Sequence, residues 1–240
     1  KMYEERGYQT RDIPTLILKN NIVGLDVDKR ASQLASFSLV MKARSKNSRF
    51  FASTYYIEPK VYEIWDSREL LHNDYEQQLK DLVFLSNAEI KDIKWLVEEF
   101  RYAKTIGSLL RIEKKNLNSI ENSLNKIKEK AVINIFNSRF LNDGVNVLRR
   151  LLQQAKIISS KYDVMITNPP YISISTMEQS VKDYASKQYA NSKADMFAMF
   201  METDFVKDNG FVAMINMHGW MFIDSFLDLR KKLLSDVTFI

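Results

Sequence analysis

The chain has 240 residues, 45% hydrophobic and 27% charged, which suits one large or two small globular domains and excludes wholesale disorder. With 35 Lys and Arg against 30 Asp and Glu, its formal charge of +5 favours a polyanionic partner only weakly. It has no cysteine, no run of eighteen apolar residues and no apolar h-region near "KMYEERGYQT", so thiolate chemistry, a transmembrane helix and a signal peptide drop out and a cytoplasmic protein without a membrane partner is expected.

"NNIVGLDVD" (Asn20 to Asp28) is a short apolar run closing on two carboxylates, as a buried parallel strand does. Asp28 can cap the next helix, "KRASQLASFSLVMKARS", on which Leu34, Phe37, Leu39 and Met41 predict a broad buried face. "KVYEIWDS" reads as a second strand ending in Asp66. From about Glu69 to Lys130 the pattern is helical, proline-free and charged, with "TIGSLLRI" as a short apolar element inside it. "GVNVLRRLLQQAKIISS" predicts another amphipathic helix, leading into a strand over Tyr162–Thr167.

After that strand comes Asn168-Pro169-Pro170-Tyr171, then a polar stretch, Ile172 to Lys193, too long for a plain turn and expected to be a functional loop. "ADMFAMFMETDFVKDNG" predicts a helix ended by Asn209-Gly210, followed by a strand "FVAMINMH", a helix "FIDSFLDLRKKLLSD" and a strand "VTFI". Strand and helix alternate at both ends, so the expected fold class is α/β: a doubly wound parallel sheet interrupted by a helical excursion. The six glycines are too scattered for a P-loop or a G-x-G-x-x-G turn.

The tetrapeptide is the chemical signal. In open parallel sheets ligands bind beyond the carboxyl ends of strands, where Asn168 is expected. The two prolines fix φ and remove two backbone donors, leaving a rigid pair of acceptors, one amide oxygen and one backbone carbonyl, beside the ring of Tyr171. Such a pair suits an exocyclic NH2 on a planar ring. Adenine N6 is the obvious candidate, and in a duplex the base must first be flipped out.

These residues resemble the catalytic motif of S-adenosylmethionine-dependent amino-group methyltransferases, in particular the N6-adenine DNA methyltransferases. "NNIVGLDVDKRASQLASFSLVMKAR" resembles their second motif, which implies that Asp26 binds the cofactor ribose. "VYEIWDS" resembles their third strand, which implies that Asp66 approaches the cofactor adenine. "SKADMFAMFME" and "GFVAMINMHGWMF" are similar to the segments that line the target and cofactor pockets, so Asp195 and Phe197 join Tyr171 as substrate-binding candidates. With its helical excursion the chain most resembles the adenine methyltransferases of BREX phage-defence systems and combined restriction–modification enzymes.

The resemblance implies a partial Rossmann-like methyltransferase sheet divided as 1–68 (strands two and three), 69–158 (helical insertion) and 159–240 (catalytic part). It implies S-adenosylmethionine as cofactor, double-stranded DNA and other defence-system subunits as partners, and no metal. The glycine-rich first motif of the family is absent from this sequence, so the chain is expected to be a piece of a larger enzyme and inactive alone. Two other readings stand beside this one: a protein-glutamine methyltransferase, whose members share Asn-Pro-Pro-Tyr, and a non-catalytic scaffold binding DNA or a partner.

The remaining polar residues read as structural. His72 and His218 have no companions at metal-ligand spacing, Asp163 is expected to make a structural bond, and "MFAMFME" is expected in a core. Lys42, Arg44, Lys46, Arg49, Arg230, Lys231 and Lys232 fit solvated helix faces as well as phosphate contacts.

Overall fold

A computed structural model describes residues 1–52, 56–71, 75, 84–113, 116–131 and 144–240. They divide into two units, Lys1–Asp66 and Ser67–Ile240. No helix among them is long and apolar enough to cross a membrane.

In the first unit, α1 (Met2–Glu5) and α2 (Ile13–Asn20, with Pro14 in its first turn) precede β1 (Val23–Asp26). The Asp28 side chain accepts from the amides of Arg30 (2.6 Å) and Ala31 (3.1 Å) and so starts α3 (Lys29–Lys46) as expected. Those two bonds also hold its carboxyl below the ordinary range. β2 (Lys60–Glu63) lies parallel to β1, and their register sets Asp26 beside Glu63. The second strand therefore stops three residues short of Asp66.

The buried face of α3 is only in part the expected one. Ala43 packs with Leu18 and Phe50, joined by Leu39 and Val40, whereas Leu34 is 66% and Phe37 60% exposed.

The second unit begins with α4 (Arg68–Leu71) and continues with α5 (Asn87–Glu99), α6 (Ala103–Ile106), a 3-10 turn (Gly107–Leu109), α7 (Leu117–Ala131) and α8 (Val145–Ile158). Parts of the expected helices over "LLHNDYEQQLKDLVFL" and "NSLNKIKEKAVINIF" lie outside the described residues, as does His72. Apolar residues three and four apart build the core of α5, α7 and α8: Ile93, Leu96 and Val97; Ile120, Leu124 and Ile127; Leu148, Leu151 and Ala155. Each buried Leu or Ile contributes about 1.5–3 kcal/mol over an exposed one.

Glu89 knots two of these helices together. Its carboxylate accepts from the Ser86 amide (2.8 Å) in a capping box and from Lys126 of α7 (2.6 Å). The Lys126 bond, followed by the Ser86 bonds, holds its carboxyl at about 2 against an ordinary 4.5. A lowered pKa means stability that is present above pH 4.5 and lost as pH falls toward about 2. In urea titrations Glu89→Gln is expected to cost about 1–3 kcal/mol at neutral pH and to flatten the acid loss in that window.

β3 (Tyr162–Thr167) and β4 (Val206–Met214) form a second parallel pair. Between them lie α9 (Gln179–Gln188) and α10 (Met196–Met201), and α11 (Leu227–Asp236) closes the unit. Among the described residues the parallel strands form two two-stranded sheets, β1 with β2 and β3 with β4, in keeping with the α/β class. Three expectations are corrected. The stretch expected as a loop over 172–193 holds α9, whose Val181 and Ala185 are buried anchors. The helix expected to reach Gly210 stops at Met201, and Val206–Gly210 is strand: Tyr162 pairs with Val206 and Val164 with Phe211, so β4 bulges outward between them. Val237–Ile240, expected as a strand, is not one: the Val237 amide donates back to the Leu233 carbonyl (3.0 Å) at the end of α11.

Candidate active site

β3 delivers Asn168 to the carboxyl end of a parallel strand, the position expected from sequence. Asn168 and Pro170 are exposed while Pro169 is buried, so the turn is anchored by its first proline with the amide outward. The neighbouring strand continues the edge: the Ile215 amide donates to the Thr167 carbonyl (3.4 Å), and the Tyr171 hydroxyl donates to the Ile215 carbonyl (3.0 Å). Tyr171 is 46% exposed, and the buried Phe197 meets it edge-on at 5.9 Å and 83°. One hydrogen bond and one ring thus fix its plane.

The chain after Tyr171 is laced to the start of α10. The Met196 amide donates to the Ile172 carbonyl (2.9 Å), and the Ile174 amide to the Ala194 carbonyl (3.0 Å). Asp195 caps α10 by accepting from the Phe197 amide (3.2 Å), and burial pushes its carboxyl up. The structure therefore gives Asp195 the helix-start bond and places Phe197 against Tyr171, bringing both beside the tetrapeptide. Met196 and Met199 are buried, as expected of a core run.

The cofactor candidates lie in the first unit. Asp26 ends β1, and its Oδ1 accepts from the Asp28 amide (2.8 Å). Asp66 is half-buried beyond β2. Sequence reasoning missed Glu63, which only the strand register sets beside Asp26. It also missed Asn216, next to Ile215, whose buried Oδ1 accepts no hydrogen bond among the described residues. No local pattern marks either residue.

Other sequence candidates are engaged structurally. Asp163 pairs with Lys207 (2.7 Å), Arg230 donates to the carbonyls of Trp220 (2.8 Å) and Ile223 (2.6 Å), and Lys232 pairs with Glu202 (2.8 Å). The His218 ring lies 6.4 Å from that of Phe222. Among the described residues no group of three or more His, Asp or Glu is placed to hold a metal ion.

Parallel strands running into carboxylates, and a proline-locked asparagine beside a fixed aromatic ring, define an α/β protein with its candidate site at the carboxyl edge of a strand. Comparison with known proteins narrows this class. Residues 20–240 match the family described as Eco57I restriction-modification methylase. Over its whole length the chain is 36% identical to the adenine-specific methyltransferase BrxX of Escherichia coli O9:H4 (strain HS). Over 98% of its length it is 33% identical to the adenine-specific methyltransferase PglX of Lacticaseibacillus casei (strain Zhang). The chain belongs to the Eco57I restriction-modification methylase family. It spans 21% and 19% of the lengths of these two relatives.

Proposed function

We propose that this chain carries the acceptor site of an adenine-specific DNA methyltransferase, which transfers a methyl group from S-adenosylmethionine to N6 of an adenine flipped out of duplex DNA. The observation that carries the reading is the rigid Asn168–Tyr171 turn at the end of β3, with the ring of Tyr171 fixed by Ile215 and Phe197. Family membership and the adenine-specific methyltransferase activity for which both relatives are named support it. The setting is restriction–modification or phage defence, with other system subunits as partners. The finer fold is a Rossmann-like methyltransferase core over 1–68 and 159–240, with 69–158 as a helical insertion.

The Asn168 side-chain oxygen and a backbone carbonyl of Pro169–Pro170 accept the two N6 hydrogens. Holding both keeps the nitrogen lone pair out of conjugation with the ring and aims it outward. Tyr171 stacks on the base, whose flipping costs a few kcal/mol. Asn168 is exposed, so water takes the proton that N6 releases.

The residues present fit the cofactor in part. A carboxylate has lone pairs for more than one donor, so Asp26 can accept a ribose hydroxyl beside the Asp28 amide it already binds. Asp66, three residues beyond the end of the neighbouring strand, is the candidate for the cofactor adenine. S-adenosylmethionine, when bound, supplies a methyl group on a positively charged sulfur.

The test offers radiolabelled S-adenosylmethionine and duplex DNA to the full-length protein. Label recovered as N6-methyladenine upholds the reading, and label in protein alone overturns it. Tyr171→Phe is expected to keep the stacking face and most of the activity while lowering stability by about 1 kcal/mol, since only the bond to Ile215 goes. Thermal melts beside methyl-transfer rates check both halves.

A further inference from the structure

The helical region between β2 and β3 reaches the candidate site through two tyrosines. α6 is capped by Gly107, whose φ of +66° turns the chain into the 3-10 turn. The turn presents the carbonyl of Leu109, and two hydroxyls donate to that one oxygen: Tyr189 at 2.6 Å and Tyr184 at 3.4 Å. A carbonyl has two lone pairs, so both bonds are met. The Tyr184 hydroxyl in turn accepts from the Arg111 amide (2.8 Å), and the Arg111 guanidinium lies 4.2 Å from the centroid of the Tyr189 ring. Burial pushes both tyrosine hydroxyls up, which keeps them protonated as donors. Tyr189 is 1% and Leu109 2% exposed, so neither partner has water to fall back on.

From Tyr189 the contacts continue to the tetrapeptide. The Ser192 amide donates to the Tyr189 carbonyl (3.0 Å), and the Ser192 hydroxyl to Glu202 (2.5 Å), which also accepts from Lys232. The Glu202 carboxylate is 5% exposed and sits just past the end of α10. The opposite end of α10 carries the Ile172–Met196 and Ala194–Ile174 bonds and the ring of Phe197 against Tyr171.

We propose that Tyr189 is a positioning residue for the Asn168–Tyr171 turn: the helical excursion holds it through Leu109 and Arg111, and it fixes α10, which sets the plane of Tyr171. The excursion is then a brace for the acceptor site. The consequence for methyl transfer rests on the function proposed above; the brace itself does not.

Hydrogen exchange read by mass spectrometry on the full-length protein tests it. The reporters are peptides containing the amides of Ile174 and Met196, both bonded across the loop. Tyr189→Phe removes only the hydroxyl and is expected to speed exchange in both peptides about tenfold, and Arg111→Ala is expected to act in the same direction. Ile120→Val, a small loss in the α7 core, is expected to leave both peptides unchanged. In methyl transfer, Tyr189→Phe is expected to lower kcat severalfold with KM for S-adenosylmethionine unchanged. Unchanged exchange in Tyr189→Phe, or equal acceleration in Ile120→Val, overturns the proposal. A wild-type protein without methyl transfer overturns the proposed function, and the exchange result still decides the brace.

Discussion

Asn168→Ala is expected to lower kcat for methyl transfer to DNA by about 10²–10³-fold, the range found when one preorganised polar group is removed from a reacting centre. On the proposed function the substitution deletes one of the two acceptors for the N6 hydrogens, so the nitrogen would keep its conjugation with the ring. Because Asn168 is exposed at the strand end, its loss opens no cavity, and the melting temperature is expected to stay within about 1–2 °C of wild type. The proposed cofactor residues Asp26 and Asp66 are untouched, so KM for S-adenosylmethionine is expected to hold. Asn168→Asp retains an acceptor oxygen but loses the amide donors, and its activity is expected to fall between the two. Single-turnover rates with N6-methyladenine as the product read out all three proteins. An alanine variant with near wild-type kcat would remove Asn168 from the chemistry.

Gly210→Ala has the largest expected effect on folding. A Cβ there would lie 2.1 Å from Cγ1 of Val206 and 2.8 Å from the carbonyl oxygen of Asp163. The first clash is with a side chain that can turn; the second is with backbone and forces β4 away from β3. Overpacking of this kind costs about 1–3 kcal/mol. In a unit of this size that is roughly a 3–10 °C loss in melting temperature. Val206→Ala in the same chain relieves only the side-chain clash, so the double variant is expected to recover part of the loss. Full recovery would show that β4 can move without cost. Because β4 carries Ile215 to Tyr171, Gly210→Ala is also expected to lower activity more than its effect on stability explains.

The elements that sequence placed well are those specified by neighbours in the chain. The apolar run closing on Asp26, the cap at Asp28 and the helical spacing through Val145–Ile158 each arise from residues a few positions apart, and each stands where it was expected. So does the tetrapeptide: prolines end a strand wherever they fall, and a parallel strand's carboxyl end is an edge by geometry. The proposed chemistry rests on those four residues.

What sequence misjudged depended on partners far along the chain. The large apolar residues of α3 suggest one buried face, but the side that packs is chosen by Leu18 and Phe50. Val206–Gly210 continues a helical pattern until it meets β3, whose backbone bonds turn it into strand. Tyr171 finds the Ile215 carbonyl 44 positions away and Tyr189 that of Leu109 at 80, neither of which leaves a periodic trace. Local sequence by itself determined the elements whose signals lie a few residues apart, and the tetrapeptide that marks the candidate site. Only the tertiary structure decided which faces are buried and what holds the site still, because burial and long-range hydrogen bonds are properties of pairs that sequence separates.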